Sequence, residues 1–281
     1  MNRPFFSTVH AIVVNAVAAA SVACVGVGAV LVISGCPSAG PSASAPASPT
    51  ADEVATPVQA EAPEVPEEPT EPEEEIVAGP TGPAPEGLVG EGEPAPALLD
   101  PEQATATAPE RFRVAFETSR GRIVIEVDRS WAPRGADRFY NLVTSGFYDG
   151  AVFYRVVKGF MAQCGLSPAP RVNQVWARAT IADDPRVLSN VRGTVTFAQD
   201  KADSRRTQFF INYADRNRYL DEQGFVPFGK VISGMNVAEA LENKYGEQVM
   251  GNHEELYLEG NAFLNQRFPG LDYIERAQVL E

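Results

Sequence analysis

The sequence predicts a mostly β domain, an antiparallel barrel or sandwich capped by helices, carried behind 110 residues of quite different character. Three observations lead there. Between Arg111 and Glu281, short runs of alternating apolar and polar residues recur between turn residues, the period-two pattern of half-buried strands. No regular strand–helix–strand alternation accompanies them, which disfavours a doubly wound parallel sheet. Composition also breaks sharply at residue 110. Residues 37–110 hold 16 acidic residues, no Lys or Arg, and 16 of the 23 prolines, whereas 111–281 carry 22 basic and 21 acidic residues and every Tyr and Trp.

The elements follow in order. Phe112, Val114, Phe116 and Thr118 alternate, Ser119-Arg120-Gly121 turns the chain, and Ile123, Ile125 and Val127 alternate again, which makes a hairpin. From Pro133, the residues Ala136, Phe139, Tyr140 and Val143 fall at helical spacing. Proline suits the first turn and Gly146 the C′ position, so a short amphipathic helix is expected. Strands are expected at 152–157, 160–164, 194–198, 208–212 and 225–232. A helix is expected over 235–244 ending at Gly246, another near 254–266, and a closing strand from Tyr273 to Leu280.

Ahead of this domain, Ala11 to Ile33 is almost wholly apolar and Arg3 is the only charged side chain before Asp52. Ile33-Ser34-Gly35-Cys36 resembles the lipobox of bacterial lipoproteins. That resemblance implies a signal peptide over 1–35, cleavage before Cys36, and a diacylglycerol on its sulfur. The expected location is the bacterial cell envelope, lipid-anchored, exported and periplasm-facing. Cys24 would leave with the signal and Cys36 would be acylated, so Cys164 has no disulfide partner. Residues 36–110, without aromatics and rich in Pro and Glu, read as a disordered acidic linker, because they bury too little surface to offset their ordering entropy. The domain assigned to 111–281 is nearly neutral and has no basic footprint, so no nucleic-acid partner is expected.

Conventional catalytic groups are scarce. His10 lies in the signal, leaving His253 as the domain's one histidine, far from any nucleophile motif. One Cys and one His make no zinc set, no phosphate loop is present, and no cofactor is expected. Asp183-Asp184 and Glu254-Glu255 read as surface charges. Any enzyme here would work by binding and electrostatics. Phe153-Tyr154-Arg155-Val156-Val157 sets a cation inside a strand-like run. Both a functional guanidinium and an arginine snorkelling at a sheet edge satisfy that pattern.

The run FYRVVKGFMAQCG (153–165) resembles the signature of the cyclophilins. GTVTFAQD (193–200), RRTQFFINY (205–213) and YLDEQGFVPFGKVISGM (219–235) follow in the family's order, so the resemblance covers essentially 111–281. It implies a peptidyl-prolyl cis–trans isomerase on an eight-stranded antiparallel β-barrel capped by helices. By the same resemblance Arg155, Phe160, Gln163 and Phe210 form the catalytic set, with Arg155 the catalytic arginine. Met161, Ala198, Gln199, Gln208, Tyr219, Leu220 and Phe225 then bind substrate, Ala198 and Gln199 along its backbone. The implied partners are proline-containing polypeptides among exported proteins, and the membrane through Cys36. The alternative is a catalytically weak proline-segment binding module or envelope scaffold. Departures from the family pattern are Tyr154 for His, Gln199 for Asn, Tyr219 for Trp, Phe225 for His, and Arg205-Arg206 for Asn-Gly. The helix near 254–266 is extra.

Overall fold

Eight strands form one antiparallel sheet in the computed structural model, which describes residues 72–87 and 94–280. They are β1 (Arg111–Thr118), β2 (Gly121–Asp128), β3 (Arg155–Val157), β4 (Met161–Cys164), β5 (Thr194–Phe197), β6 (Phe209–Asn212), β7 (Pro227–Ser233) and β8 (Ile274–Leu280), in the order β3-β4-β6-β5-β7-β2-β1-β8. The predicted hairpin is β1–β2, closed by Thr118 opposite Gly121. The sheet curls so that its two ends approach. An antiparallel bridge pairs Val152 with Tyr273, the Gly150 N–H reaches the Ile274 carbonyl at 2.7 Å, and the Phe153 N–H reaches that of Asp272 at 2.9 Å.

Alternation decides what faces inward. Val114, Phe116, Ile123, Ile125, Val156, Ala162, Cys164, Val195, Phe197, Phe209 and Ile211 are buried in one core cluster. Their neighbours on β3, β4 and β6 therefore point to the outer face. Six α-helices lie among the described residues: α1 (Pro96–Leu99), α2 (Pro133–Thr144), α3 (Pro170–Trp176), α4 (Met235–Glu239), α5 (His253–Glu259) and α6 (Asn261–Arg267). The predicted α2 packs Phe139 against Phe228, ring centroids 4.8 Å apart, and ends as expected before Gly146 at φ +73°. Its N-terminus lacks a local cap. Instead the Asp184 carboxylate accepts the N–H groups of Arg134 and Gly135, each at 3.0 Å.

Several expectations are corrected. Asp184 is not a surface charge: its side chain is fully buried and bonds the equally buried Arg205 guanidinium at 3.0 Å. The helix expected over 235–244 stops at Glu239. Asp272 captures the Glu242 N–H at 2.7 Å while also accepting from Ser119 and Arg120, which draws the chain out of the helical path. The single helix near 254–266 is two helices broken at Gly260, whose φ is +60° and where a Cβ would sit 2.9 Å from the Pro168 carbonyl. The strand expected over 152–157 is short, only Arg155–Val157 with an isolated bridge at Val152.

The largest correction concerns 36–110. Residues 36–71 and 88–93 of that segment, the signal over 1–35 and Cys36 itself lie outside the described residues. The described remainder is no free linker. It belongs to the same compact unit as the barrel, Thr70–Glu281, and straps its surface. Leu98, Ala84 and Ala108 are buried, and Trp176 of α3 donates to the Leu98 carbonyl at 2.9 Å. Three asparagines hold strap residues in the manner of a strand partner, each accepting a backbone N–H and donating to the same residue's carbonyl. Asn236 grips Glu74, Asn265 grips Ala84 and Asn141 grips Ala106. A segment that cannot build a core has borrowed one, and side-chain amides satisfy its backbone.

Candidate active site

The outer face of β3–β4–β6 carries the site, and register assembles it. Arg155 pairs with Gln163, Val157 with Met161, and Gln163 with Phe210. Residues two apart on each strand therefore share a face with cross-strand partners. Met161, Phe210 and Leu220 form a separate buried cluster, with Val157, Phe160, Ala198 and Phe225 half-buried against it. Leu220 and Tyr219 arrive on a 3₁₀ segment, Asp215–Gln223, which ends at Gly224 in the left-handed region (φ +81°) and so turns Phe225 back onto Phe210, centroids 5.7 Å apart. Asn217 ties this segment down by donating to the Phe160 carbonyl at 2.7 Å and to Asn212 at 2.8 Å. Phe160 stacks on Tyr219 at 6.5 Å and an interplanar angle of 16°, and Tyr219 is 41% exposed. The result is an apolar cluster on this face with an aromatic rim.

Beside it runs a chain of polar side chains. Arg155, only 7% exposed, donates from Nη1 to Gln163 Oε1 at 3.0 Å. Gln163 Nε2 donates to Gln208 Oε1 at 3.2 Å, and Gln208 Nε2 donates to the Tyr257 hydroxyl oxygen at 2.5 Å. The Tyr154 hydroxyl also donates to Gln208 Oε1. Burial pushes both phenols up, so Tyr154 and Tyr257 stay neutral hydrogen-bonding groups. The Arg155 guanidinium carbon lies 5.9 Å from the Phe160 ring centre, which sets the cation against the edge of the apolar cluster.

All eleven residues expected at the site lie on this face or on the loops that border it. Arg155, Phe160, Met161, Gln163, Gln208, Phe210, Tyr219, Leu220 and Phe225 join the two groups above. Ala198 packs on the apolar cluster, with its N–H committed to the Gln208 carbonyl at 2.8 Å. Gln199 turns inward: its Nε2 reaches the Gln223 carbonyl at 3.3 Å and its Oε1 is buried without a partner. Cys164 lies on the opposite, core face, and burial raises its thiol pKa. Two residues at the site carried no mark in the sequence. Glu247 forms a two-pronged ion pair with Arg155, and Tyr257 closes the glutamine chain; both come from the segment between α4 and β8. That segment builds a second core from Val249, Leu256, Phe263, Leu264 and Phe268, and Tyr154 is buried in it. This is why tyrosine fits where the family pattern has histidine. No local signal pointed to Glu247, which is separated from Arg155 by 92 positions.

A family model described as cyclophilin type peptidyl-prolyl cis-trans isomerase/CLD matches residues 113–256. The peptidyl-prolyl cis-trans isomerase A of Dickeya dadantii (strain 3937) is 37% identical over 141 residues, spanning 48% of this chain and 74% of that protein. A peptidyl-prolyl cis-trans isomerase of Acinetobacter baylyi is 36% identical over 135 residues, 46% of this chain and 71% of its own. A solved cyclophilin type peptidyl-prolyl cis-trans isomerase of Cryptosporidium parvum covers 61% of this chain and 98% of its own, at 21% identity and a TM-score of 0.45. The chain belongs to the cyclophilin-type peptidyl-prolyl cis–trans isomerase family. It is an enzyme of that class.

Proposed function

We propose that this isomerase acts on X-Pro bonds of exported polypeptides, with the Arg155 guanidinium donating to the prolyl nitrogen as the amide twists. Phe160, Met161, Phe210 and Leu220 hold the proline ring while the acyl side rotates. The observation that carries the reading is a nearly buried guanidinium beside an apolar and aromatic cluster. Rotation about the peptide bond meets a barrier of about 20 kcal/mol because resonance flattens it. Twisting breaks that resonance and exposes a lone pair on nitrogen that the planar amide lacks. A donor aimed there stabilises the twisted state over both planar ones. One charge-assisted hydrogen bond contributes roughly 1.5 to 3 kcal/mol, so desolvation and ring positioning supply the remainder. Neither a nucleophile nor a cofactor enters the step.

Turnover of a panel of X-Pro peptides tests this. Arg155→Ala should lower kcat by about 10²- to 10³-fold, the usual cost of losing one such donor, with a smaller change in peptide binding. Arg155→Lys keeps the charge but not the planar fork, and should recover only part. Near-normal turnover by folded Arg155→Ala would refute the assignment.

The second reading, a catalytically weak binder of proline segments or an envelope scaffold, draws on the Glu247 carboxylate already engaging Arg155. Wild-type rates no faster than buffer across the panel would favour it. For location, the Ile33-Ser34-Gly35-Cys36 motif supports a lipid anchor on Cys36 facing the periplasm. Cys36→Ser should abolish the covalent diacylglycerol, and a variant still carrying it would show the motif misread.

A further inference from the structure

Arg155 carries five N–H donors. Glu247 takes two of them, Nε to Oε2 at 2.7 Å and Nη2 to Oε1 at 2.8 Å, and Gln163 takes a third from Nη1. One N–H on Nη1 and one on Nη2 remain, and no acceptor among the described residues engages them. Because Glu247 is held side-on by Nε and Nη2, the remaining Nη2 N–H lies at the outer end of the planar fork. Gln163 on β4 and Glu247 thus grip the guanidinium from different parts of the fold and leave an N–H at its end open.

We propose that Glu247 is a positioning residue: its carboxylate sets the plane of the Arg155 guanidinium so that the open end meets the prolyl nitrogen. The proposal rests on the reading of Arg155 given above. A carboxylate beside a catalytic cation could instead quench it, and exposure decides between the two effects. The Arg155 side chain is 8% exposed but that of Glu247 is 52% exposed. The carboxylate's charge is therefore largely screened by water. Its two bonds to a rigid fork still fix an orientation, which a single bond to Gln163 leaves free to swing. Glu247 is itself held in place, because the 3₁₀ turn that follows it, Gln248–Asn252, buries Val249 completely in the second core.

The test uses the full mature chain, with kcat and KM measured on one X-Pro peptide and the Arg155 Nε–H followed by ¹⁵N NMR. Glu247→Ala should lower kcat about tenfold while KM stays within about twofold, since a misaimed donor costs rate more than ground-state affinity. The Arg155 Nε–H should exchange faster with water in the same variant. Glu247→Gln keeps one acceptor oxygen and should recover part of the loss. In an Arg155→Lys background, which has no fork to orient, Glu247→Ala should add little. A folded Glu247→Ala protein with wild-type or higher kcat overturns the proposal. So does a lowered melting temperature with unchanged kcat per folded molecule, which marks a structural role only. Failure of the wild type to turn over any peptide brings down the reading of Arg155, and the clamp with it. An active wild type with an unaffected Glu247→Ala brings down the clamp alone.

Discussion

Asp184 shows how one side chain can carry several structural duties at once. Its buried carboxylate meets the buried Arg205 guanidinium and the first free N–H groups of α2, while Asp183 Oδ1 stands 3.4 Å from Arg205 Nε, an ion-pair contact without hydrogen-bond geometry. Arg205 also donates to the Ala182 carbonyl. Removing the carboxylate leaves a buried cation short of its partner and a helix end uncapped. Breaking such a pair costs about 3 to 5 kcal/mol. Asp184→Ala should therefore lower the urea unfolding free energy by about 3 kcal/mol or more. A loss below about 1 kcal/mol would place the pair among weak surface bridges. The same contacts account for arginine at 205, where the family pattern commonly has Asn.

At the scale of elements, α5 and α6 attach to the barrel through a core of their own, and His253 sits at the edge of that attachment. Its ring lies 5.0 Å from that of Tyr257. Burial lowers its pKa, with Asp200 opposing the shift and Arg206 adding to it. The folded state therefore favours the neutral ring, and the unfolded chain, titrating near ~6.5, binds more protons around that pH. Stability from this group is present above the unfolded pKa and is lost as pH falls through the folded one. Between pH 7.5 and 5 the wild type should lose more stability than His253→Asn, read as the difference of their urea midpoints. Parallel losses in the two proteins would show that His253 does not contribute. Because Tyr257 joins the glutamine chain, acid loosening of α5 should also slow turnover before global unfolding.

The whole molecule extends beyond the barrel that its strands define. Removing everything before Arg111 strips out Leu98, Ala84 and Ala108, takes the strap partners from the amides of Asn236 and Asn265, and leaves Asn141 only its bond to the Asp137 carbonyl. Burial of one leucine side chain is worth roughly 1.5 to 3 kcal/mol, and each abandoned amide adds a penalty unless water reaches it. A chain beginning at 111 should melt well below the wild type. A deletion of 37–70 touches none of these contacts and should leave both melting temperature and turnover near their original values. Equal melting temperatures for the two deletions would mean that the strap adds nothing to stability.

Local pattern determined a good deal by itself. Alternation at 112–118 and 121–127 specifies the hairpin, Pro133 and Gly146 bound α2, and the block 153–165 puts Arg155, Phe160, Met161 and Gln163 within reach of one another. These depend on neighbours in sequence, and strand periodicity then fixes which of them share a face. The strap, the split between α5 and α6, the burial of Asp184 and the grip of Glu247 depend on residues that meet only after folding: Trp176 with Leu98, Gly260 with Pro168, Asp184 with Arg205, Glu247 with Arg155. Composition speaks only to whether 36–110 can build a core alone, and it cannot register a core lent by another part of the chain. A charge likewise reads as surface until its partner, far away in sequence, is brought against it. Only the tertiary structure sets those pairs together, because their energy comes from desolvation and geometry that no local window of residues contains.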